Sequence, residues 1–203
     1  ERIQVYNTCA GYRYGPSATR GLPVGQVQLS DEGRYEDFDA FMHRADELAL
    51  SLYSEGYRAM KIWPFDQFVH KSNGQYISLE DLDRGVEPFR KIRRAVGDKM
   101  EIMVELHSLW NLPSAIRIAK ALEEIRPMWY EDPIRMDNLD ALSQFKAATH
   151  IPTCASETVA TRWAFREMME RHAVSIVMLD IAWVGGISEA RKIANMAEAN
   201  HLP

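Results

Sequence analysis

Residues 101–107 read Glu101-Ile102-Met103-Val104-Glu105-Leu106-His107, a short apolar run closed by a carboxylate and followed by an imidazole. The same form returns twice downstream, in Met128-Trp129-Tyr130-Glu131-Asp132 and in Thr153-Cys154-Ala155-Ser156-Glu157. Such runs are too short for helices and have the length and apolar character of buried parallel strands. Longer amphipathic segments lie between them. Asn111 and Pro113 open one whose inner face carries Ile116, Ala119 and Leu122, the pattern of a capped helix. Strands alternating with helices indicate a parallel α/β sheet. Glu131 follows Glu105 by 26 residues, and Glu157 follows Glu131 by 26. Equal steps of one strand and one helix set the three carboxylates at the ends of successive strands, where they are expected to converge on one point.

Three further runs, residues 4–9, 59–65 and 175–180, complete a set of six strand candidates. Phe38, Phe41, Ala45, Leu48 and Leu52 recur at helical spacing on one apolar face, and that helix ends at Gly56. Ser78-Leu79-Glu80-Asp81 reads as a capping box opening a second helix, which Pro88 is expected to kink or divide. Asn138, Thr161 and Ser188 are the expected caps of three more. Two connections are long, residues 10–30 and 66–78, and both follow strands. In a (β/α) barrel those positions lie on the face where active sites form, so they read either as lids and substrate loops or as surface insertions.

The chain has 203 residues, 46% of them hydrophobic and 26% charged, enough for one substantial core and one domain or a large piece of one. A formal charge of −5 lacks the basic footprint that nucleic acid or acidic lipid requires, which leaves small molecules as the expected partners. Cys9 and Cys154 lie far apart with no secretory signal ahead of them, so no disulfide framework is expected and a cytoplasmic location is. No apolar run approaches membrane-spanning length. The chain opens at Glu1 and stops at His201-Leu202-Pro203, which reads as the end of a helix and the entry to another strand. Part of a longer protein is the expectation.

Three carboxylates aimed into one space repel each other and cannot all ionise there without a compensating charge. A hard cation supplies it. Ligation by oxygen alone, with room for water and substrate, suits Mg²⁺ better than Zn²⁺, which normally recruits His or Cys. Glu105, Glu131 and Glu157 are therefore the candidate metal ligands. Asp180 ends the run Val177-Met178-Leu179 in the same manner. It reads as a fourth ligand, as the carboxylate that orients a neighbouring base, or as a helix cap ahead of Gly185-Gly186. Lys61, inside a strand in Met60-Lys61-Ile62-Trp63, is misplaced for a charge unless an anion faces it, and otherwise snorkels. Period-two alternation points His107 the same way as Glu105, toward the metal, as a general acid. Its other readings are packing beneath Trp110 and capping of the next helix.

Taken together, Gly56-Tyr57-Arg58-Ala59-Met60-Lys61, Val104-Glu105, Trp129-Tyr130-Glu131-Asp132-Pro133, Ser156-Glu157 and Leu179-Asp180 through Val184-Gly185-Gly186-Ile187 resemble the barrel domain of the enolase superfamily. The similarity is to its mandelate racemase and muconate lactonizing branch. It implies a (β/α)₇β barrel, here about six βα units, with residues 1–203 a catalytic domain cut at both ends and the family's capping domain and last strands absent. It further implies Mg²⁺ on the three glutamates and abstraction of the proton next to a substrate carboxylate. Lys61 resembles the first lysine of the family's Lys-x-Lys motif, but Trp63 stands where the second, a base in the racemases, is expected. Glu105-x-His107 looks like the Asp-x-His of the acid-sugar dehydratases, where the histidine protonates the departing hydroxyl. The family pairs an aspartate at the place of Asp180 with a histidine base on the next strand, beyond this chain. The resemblance thus implies a lyase that dehydrates a sugar acid, expected as a homo-oligomer. Racemases, epimerases and cycloisomerases of the same superfamily, and a non-catalytic barrel binding metal and carboxylates, are the alternatives.

Overall fold

The computed structural model describes residues 3–11 and 36–203. Of the first long connection, all but Ala10 and Gly11 falls outside them. Five strands form one parallel sheet in chain order: β1 (Ala59–Ile62), β2 (Glu101–Glu105), β3 (Trp129–Glu131), β4 (Thr153–Ala155) and β5 (Ile176–Val177). The sixth expected strand, residues 4–9, is reduced to a single bridge. Asn7 pairs with Met60 on the free side of β1, its N–H donating to Ala59 O (3.1 Å) and its carbonyl accepting from Lys61 N (2.9 Å).

Helices cover the sequence between strands: α1 (Asp37–His43), α2 (Ala45–Ser54), α3 (Leu79–Val96), α4 (Leu112–Ala121), α5 (Leu139–Ala147), α6 (Thr161–Glu170), α7 (Ile181–Val184) and α8 (Ile187–Ala199). The single helix expected around Phe38 and Leu52 is two, broken at Arg44 (φ −135°, ψ 46°). Pro88 does not divide α3, which runs unbroken for 18 residues. Its buried flank extends on both sides of the proline through Leu82, Val86, Phe89, Ile92 and Val96, and this packing outweighs the roughly 3 kcal/mol penalty of an interior proline. Ser78, Asn111 and Asn138 cap as expected, each accepting a backbone N–H three residues on at 3.0 Å. Thr161 and Ser188 do not. Thr161 is the first residue of α6 with φ +65°, and Ser188 lies inside α8, whose entry is set by Gly185 (φ +117°) and Gly186 (φ +89°). Those backbone angles are cheap only for glycine, which accounts for the pair.

Side chains alternate across the sheet. Met60, Ile62, Ile102, Val104, Tyr130 and Ala155 join the main core beneath the helices, where the Tyr130 hydroxyl donates to Ala119 O (2.8 Å). On the other face Met103, Trp129 and Cys154 form a second buried cluster with Ala59, Ile176 and Met178 packed against it. A parallel sheet with an apolar inner layer on one face and helices on the other is the organisation of a (β/α) barrel, of which this chain forms a part. Both cysteines are buried and free. Among the described residues, no helix is long and apolar enough to cross a membrane.

The loops following β1 and β2 are locked together above this sheet. After Ile62 the chain enters a 3₁₀ helix, Asp66–Lys71. A Cβ on Gly85 of α3 would stand 2.2 Å from the buried Phe65 ring, so this glycine lets α3 sit directly on the residue before Asp66. A Cβ on Gly74 (φ +73°) would meet Leu109 O at 1.9 Å, and Gly74 O accepts from Asn111 N at 3.0 Å.

Candidate metal and acid–base site

On β1, alternation puts Lys61 on the same face as Ala59; on β2 it groups Glu105 with Met103, and on β3 Glu131 with Trp129. Lys61 Nζ donates to Glu105 Oε2 at 2.9 Å and also to Glu131 Oε1. The second oxygen of Glu105 accepts the N–H groups of Leu106 (3.0 Å) and His107 (2.8 Å), and that of Glu131 accepts Trp129 Nε1 (3.0 Å). All three charged groups are buried. Burial favours a neutral amine at Lys61, but the two carboxylates outweigh it and raise its pKa above the ordinary lysine value. The Glu131 carboxyl is nevertheless pushed up to about 7, first by burial and then by Glu105. The two shifts are compatible, because one ammonium between two carboxylates neutralises only one of them. Tyr6 closes the side, its ring 5.8 Å from Lys61 Nζ and edge-on to Trp129.

Asp132, directly after Glu131, is fully buried with φ +42°. Its Oδ2 accepts from Ser156 Oγ (2.8 Å), while Oδ1 has no hydrogen-bond partner. Burial, with Glu105, Glu131 and Glu157 adding to it, pushes its carboxyl up to about 8. Glu157 is half-buried and acts electrostatically on both Asp132 and His107. The expected convergence is met in part. Glu105 and Glu131 meet with Lys61 between them, whereas Glu157 shares their field without closing on the same point. Among the described residues, no three His, Cys, Asp or Glu side chains stand in metal-holding geometry. The physical reason is that β4 ends at Ala155, so the strand places Glu157 without aiming it. In chemistry the donor set fits a hard divalent cation. It is all oxygen, it outnumbers the lysine beside it, and next to it Asp132 Oδ1 is a buried carboxylate oxygen with no hydrogen-bond partner.

His107 also lies past the end of its strand, with φ +47°, so alternation does not aim it either. Its ring is held instead from the neighbouring loop: Nδ1 lies 2.7 Å from Oδ2 of Asp66, a buried aspartate at the start of the 3₁₀ helix. Trp63 packs edge-on against the imidazole at 5.4 Å and also meets Phe38 and Phe41, and being buried it belongs to the core. Burial alone would lower the His107 pKa. The hydrogen bond to Asp66 and the fields of Asp66, Glu105 and Glu157 reverse this and push it up to about 9. Asp180 caps α7, its Oδ1 accepting from Ala182 N (2.7 Å) and Trp183 N (3.0 Å).

Sequence reasoning missed Asp66, Asp132 and Tyr6. Asp132 was within reach, being the next residue in an already singled-out motif. Asp66 carried no signal, because its role depends on how two loops meet.

The family model for the enolase C-terminal domain-like family matches residues 44–203. This chain belongs to the enolase superfamily. Its branch follows from solved structures that it resembles. One is an enolase of the mandelate racemase subgroup from Agrobacterium tumefaciens, 59% identical over 79% of this chain and 44% of that one, with TM-score 0.77. Another is a mandelate racemase/muconate lactonizing enzyme-like protein from Rubrobacter xylanophilus, 31% identical over 99% of this chain and 49% of that one, with TM-score 0.80. Arabinonate dehydratase of Saccharolobus solfataricus is 34% identical over 127 residues, covering 63% of this chain. The match spans 34% of that dehydratase, and this enolase-superfamily chain covers under half of either solved structure.

Proposed function

We propose that the intact protein is a dehydratase of a sugar acid, releasing a 2-keto-3-deoxy acid, with Glu105, Glu131 and Glu157 holding Mg²⁺. The observation that carries this reading is the imidazole of His107, held at Nδ1 by Asp66 (2.7 Å) beside the carboxylate cluster. A bound magnesium would supply positive charge where the substrate carboxylate gains negative charge. Lys61 adds a permanent ammonium at the same place. With Trp63 in the core, residue 63 offers no base, and the α proton passes to a group elsewhere in the intact protein. Electrons of the broken C–H bond form a carbon–carbon double bond as the neighbouring C–O bond breaks. His107 gives its Nε2 proton to the departing oxygen, which leaves as water, and the resulting enol becomes the ketone. Similarity to an arabinonate dehydratase supports a sugar acid as the substrate class.

The test uses full-length protein with Mg²⁺ and a library of acid sugars, reading keto-acid formation and loss of stereochemistry separately. His107→Asn is expected to lower keto-acid formation by roughly 10²- to 10⁴-fold, the usual worth of general acid catalysis. Epimerised substrate without keto acid, together with full turnover in His107→Asn, would replace this reading with the epimerase one.

A further inference from the structure

Asp66 is a buried carboxylate with one oxygen on His107 Nδ1 at 2.7 Å and the other without a hydrogen-bond partner. Leaving a buried acceptor unmatched costs stability, and such groups in native folds ask for a reason. Here the surrounding structure fixes the group firmly. Gly85 admits α3 against Phe65, immediately before Asp66. At the far end of the same 3₁₀ helix, Lys71 Nζ bonds both carboxylate oxygens of Asp81 in the first turn of α3 (2.6 and 2.8 Å). The loop then docks on the His107 loop, with Asn111 N on Gly74 O (3.0 Å) and Asn111 Nδ2 on Gln75 O (3.2 Å). Trp63 walls one side of the imidazole. Asp66 and Trp63, both carried by β1 and the loop after it, thus hold the ring of His107, which itself comes from the loop after β2.

We propose that Asp66 is the positioning residue of His107: its carboxylate holds Nδ1–H, so that Nε2 is the ring atom that reaches substrate. This rests on the reading of His107 as proton donor. Among the described residues the carboxylate at Nδ1 is that of Asp66, and removing it takes away the hydrogen bond that selects which ring nitrogen carries the proton. A carboxylate behind an imidazole orients it and selects its tautomer while touching no substrate.

Full-length protein labelled with ¹⁵N in its histidine rings tests the proposal, His107 being assigned by the signals lost in His107→Asn. In wild type, Nδ1 of His107 is expected to keep its proton when the ring is neutral. In Asp66→Ala that preference should vanish, and kcat for keto-acid formation should fall roughly 10- to 100-fold with KM little changed, the usual cost of losing such an orienting partner. Asp66→Asn, the variant to use if Asp66→Ala does not fold, can accept from Nδ1–H or donate to a bare Nδ1, so it should also weaken the tautomer preference and lower kcat. Unchanged ring signals and unchanged kcat in a folded Asp66→Ala protein would overturn the proposal. Full turnover in His107→Asn would instead overturn the proton-donor reading, while the ring signals would still decide whether Asp66 positions His107.

Discussion

Lys61 shows how little a single residue settles until its neighbours are known. In the sequence it is a charge inside an apolar strand. In the structure it is the buried cation between Glu105 and Glu131, one hydrogen bond from each. Removing one partner of a buried ion pair typically costs about 3–5 kcal/mol, because an uncompensated charge is left in a poorly solvated place. Lys61→Met, similar in shape and uncharged, is therefore expected to lower unfolding free energy by about that amount in urea titrations run with a chelator present. A loss below about 0.5 kcal/mol, the scatter of ordinary surface substitutions, would show that the triad is not closed in solution. Glu105 and Glu131 were legible because strand alternation fixes the direction of a residue that is still paired. Glu157 and His107 were legible as positions only. Each stands two residues past its strand, and its orientation comes from loops that no local pattern encodes.

Elements were read more securely than their joints. All five paired strands fall inside the runs marked out by apolar composition, since a buried parallel strand needs an uninterrupted apolar sequence on both faces. Their ends were placed too late, because left-handed residues such as His107 and Asp132 stop the pairing while the sequence remains apolar or acidic. Caps were legible where Ser or Asn sat just ahead of a helix and illegible where a glycine pair did the work, as at α8. One joint between elements has a pH signature. Arg162, at the start of α6, donates to Glu189 in the first turn of α8 through its backbone N–H (2.9 Å), Nε (2.8 Å) and Nη2 (2.7 Å). These hydrogen bonds hold the Glu189 carboxyl down at about 2. A carboxyl whose pKa is lowered by folding stabilises the fold above its unfolded value, near 4.3, and loses that contribution as pH falls through the folded value. Wild type should therefore lose stability faster than Glu189→Gln as pH is lowered from about 4.3 toward 2, and the two should converge at the acid end. Thermal melts at stepped pH read this directly. Parallel curves for the two proteins would mean that the clamp carries no linkage.

At the scale of the whole molecule, four neighbouring strands and the loops that follow them deliver a net negative charge to one end of one sheet, and that is a global property. Helices cover the other face, so Glu105, Glu131, Asp132 and Glu157 gather where, among the described residues, Lys61 and His107 oppose them. The raised carboxyls of Glu131 and Asp132 measure what this arrangement costs. A divalent cation binding there would relieve the repulsion in the folded state and has no comparable site in the unfolded chain, so its binding free energy adds to folding stability. At a free concentration about a hundred times its dissociation constant, the gain is about 2.7 kcal/mol. Mg²⁺ is accordingly expected to raise the midpoint of thermal unfolding of the full-length protein by several degrees over a chelated sample, with the effect saturating as one site per chain fills. Glu131→Gln should remove most of that rise, since it deletes a ligand charge at the centre of the cluster. Glu189→Gln, remote from the cluster in chemistry and on another pair of helices, should keep it. A rise of equal size in Glu131→Gln would assign the ion to some other acidic surface, and no rise at any millimolar concentration would mean that this carboxylate cluster does not hold the ion.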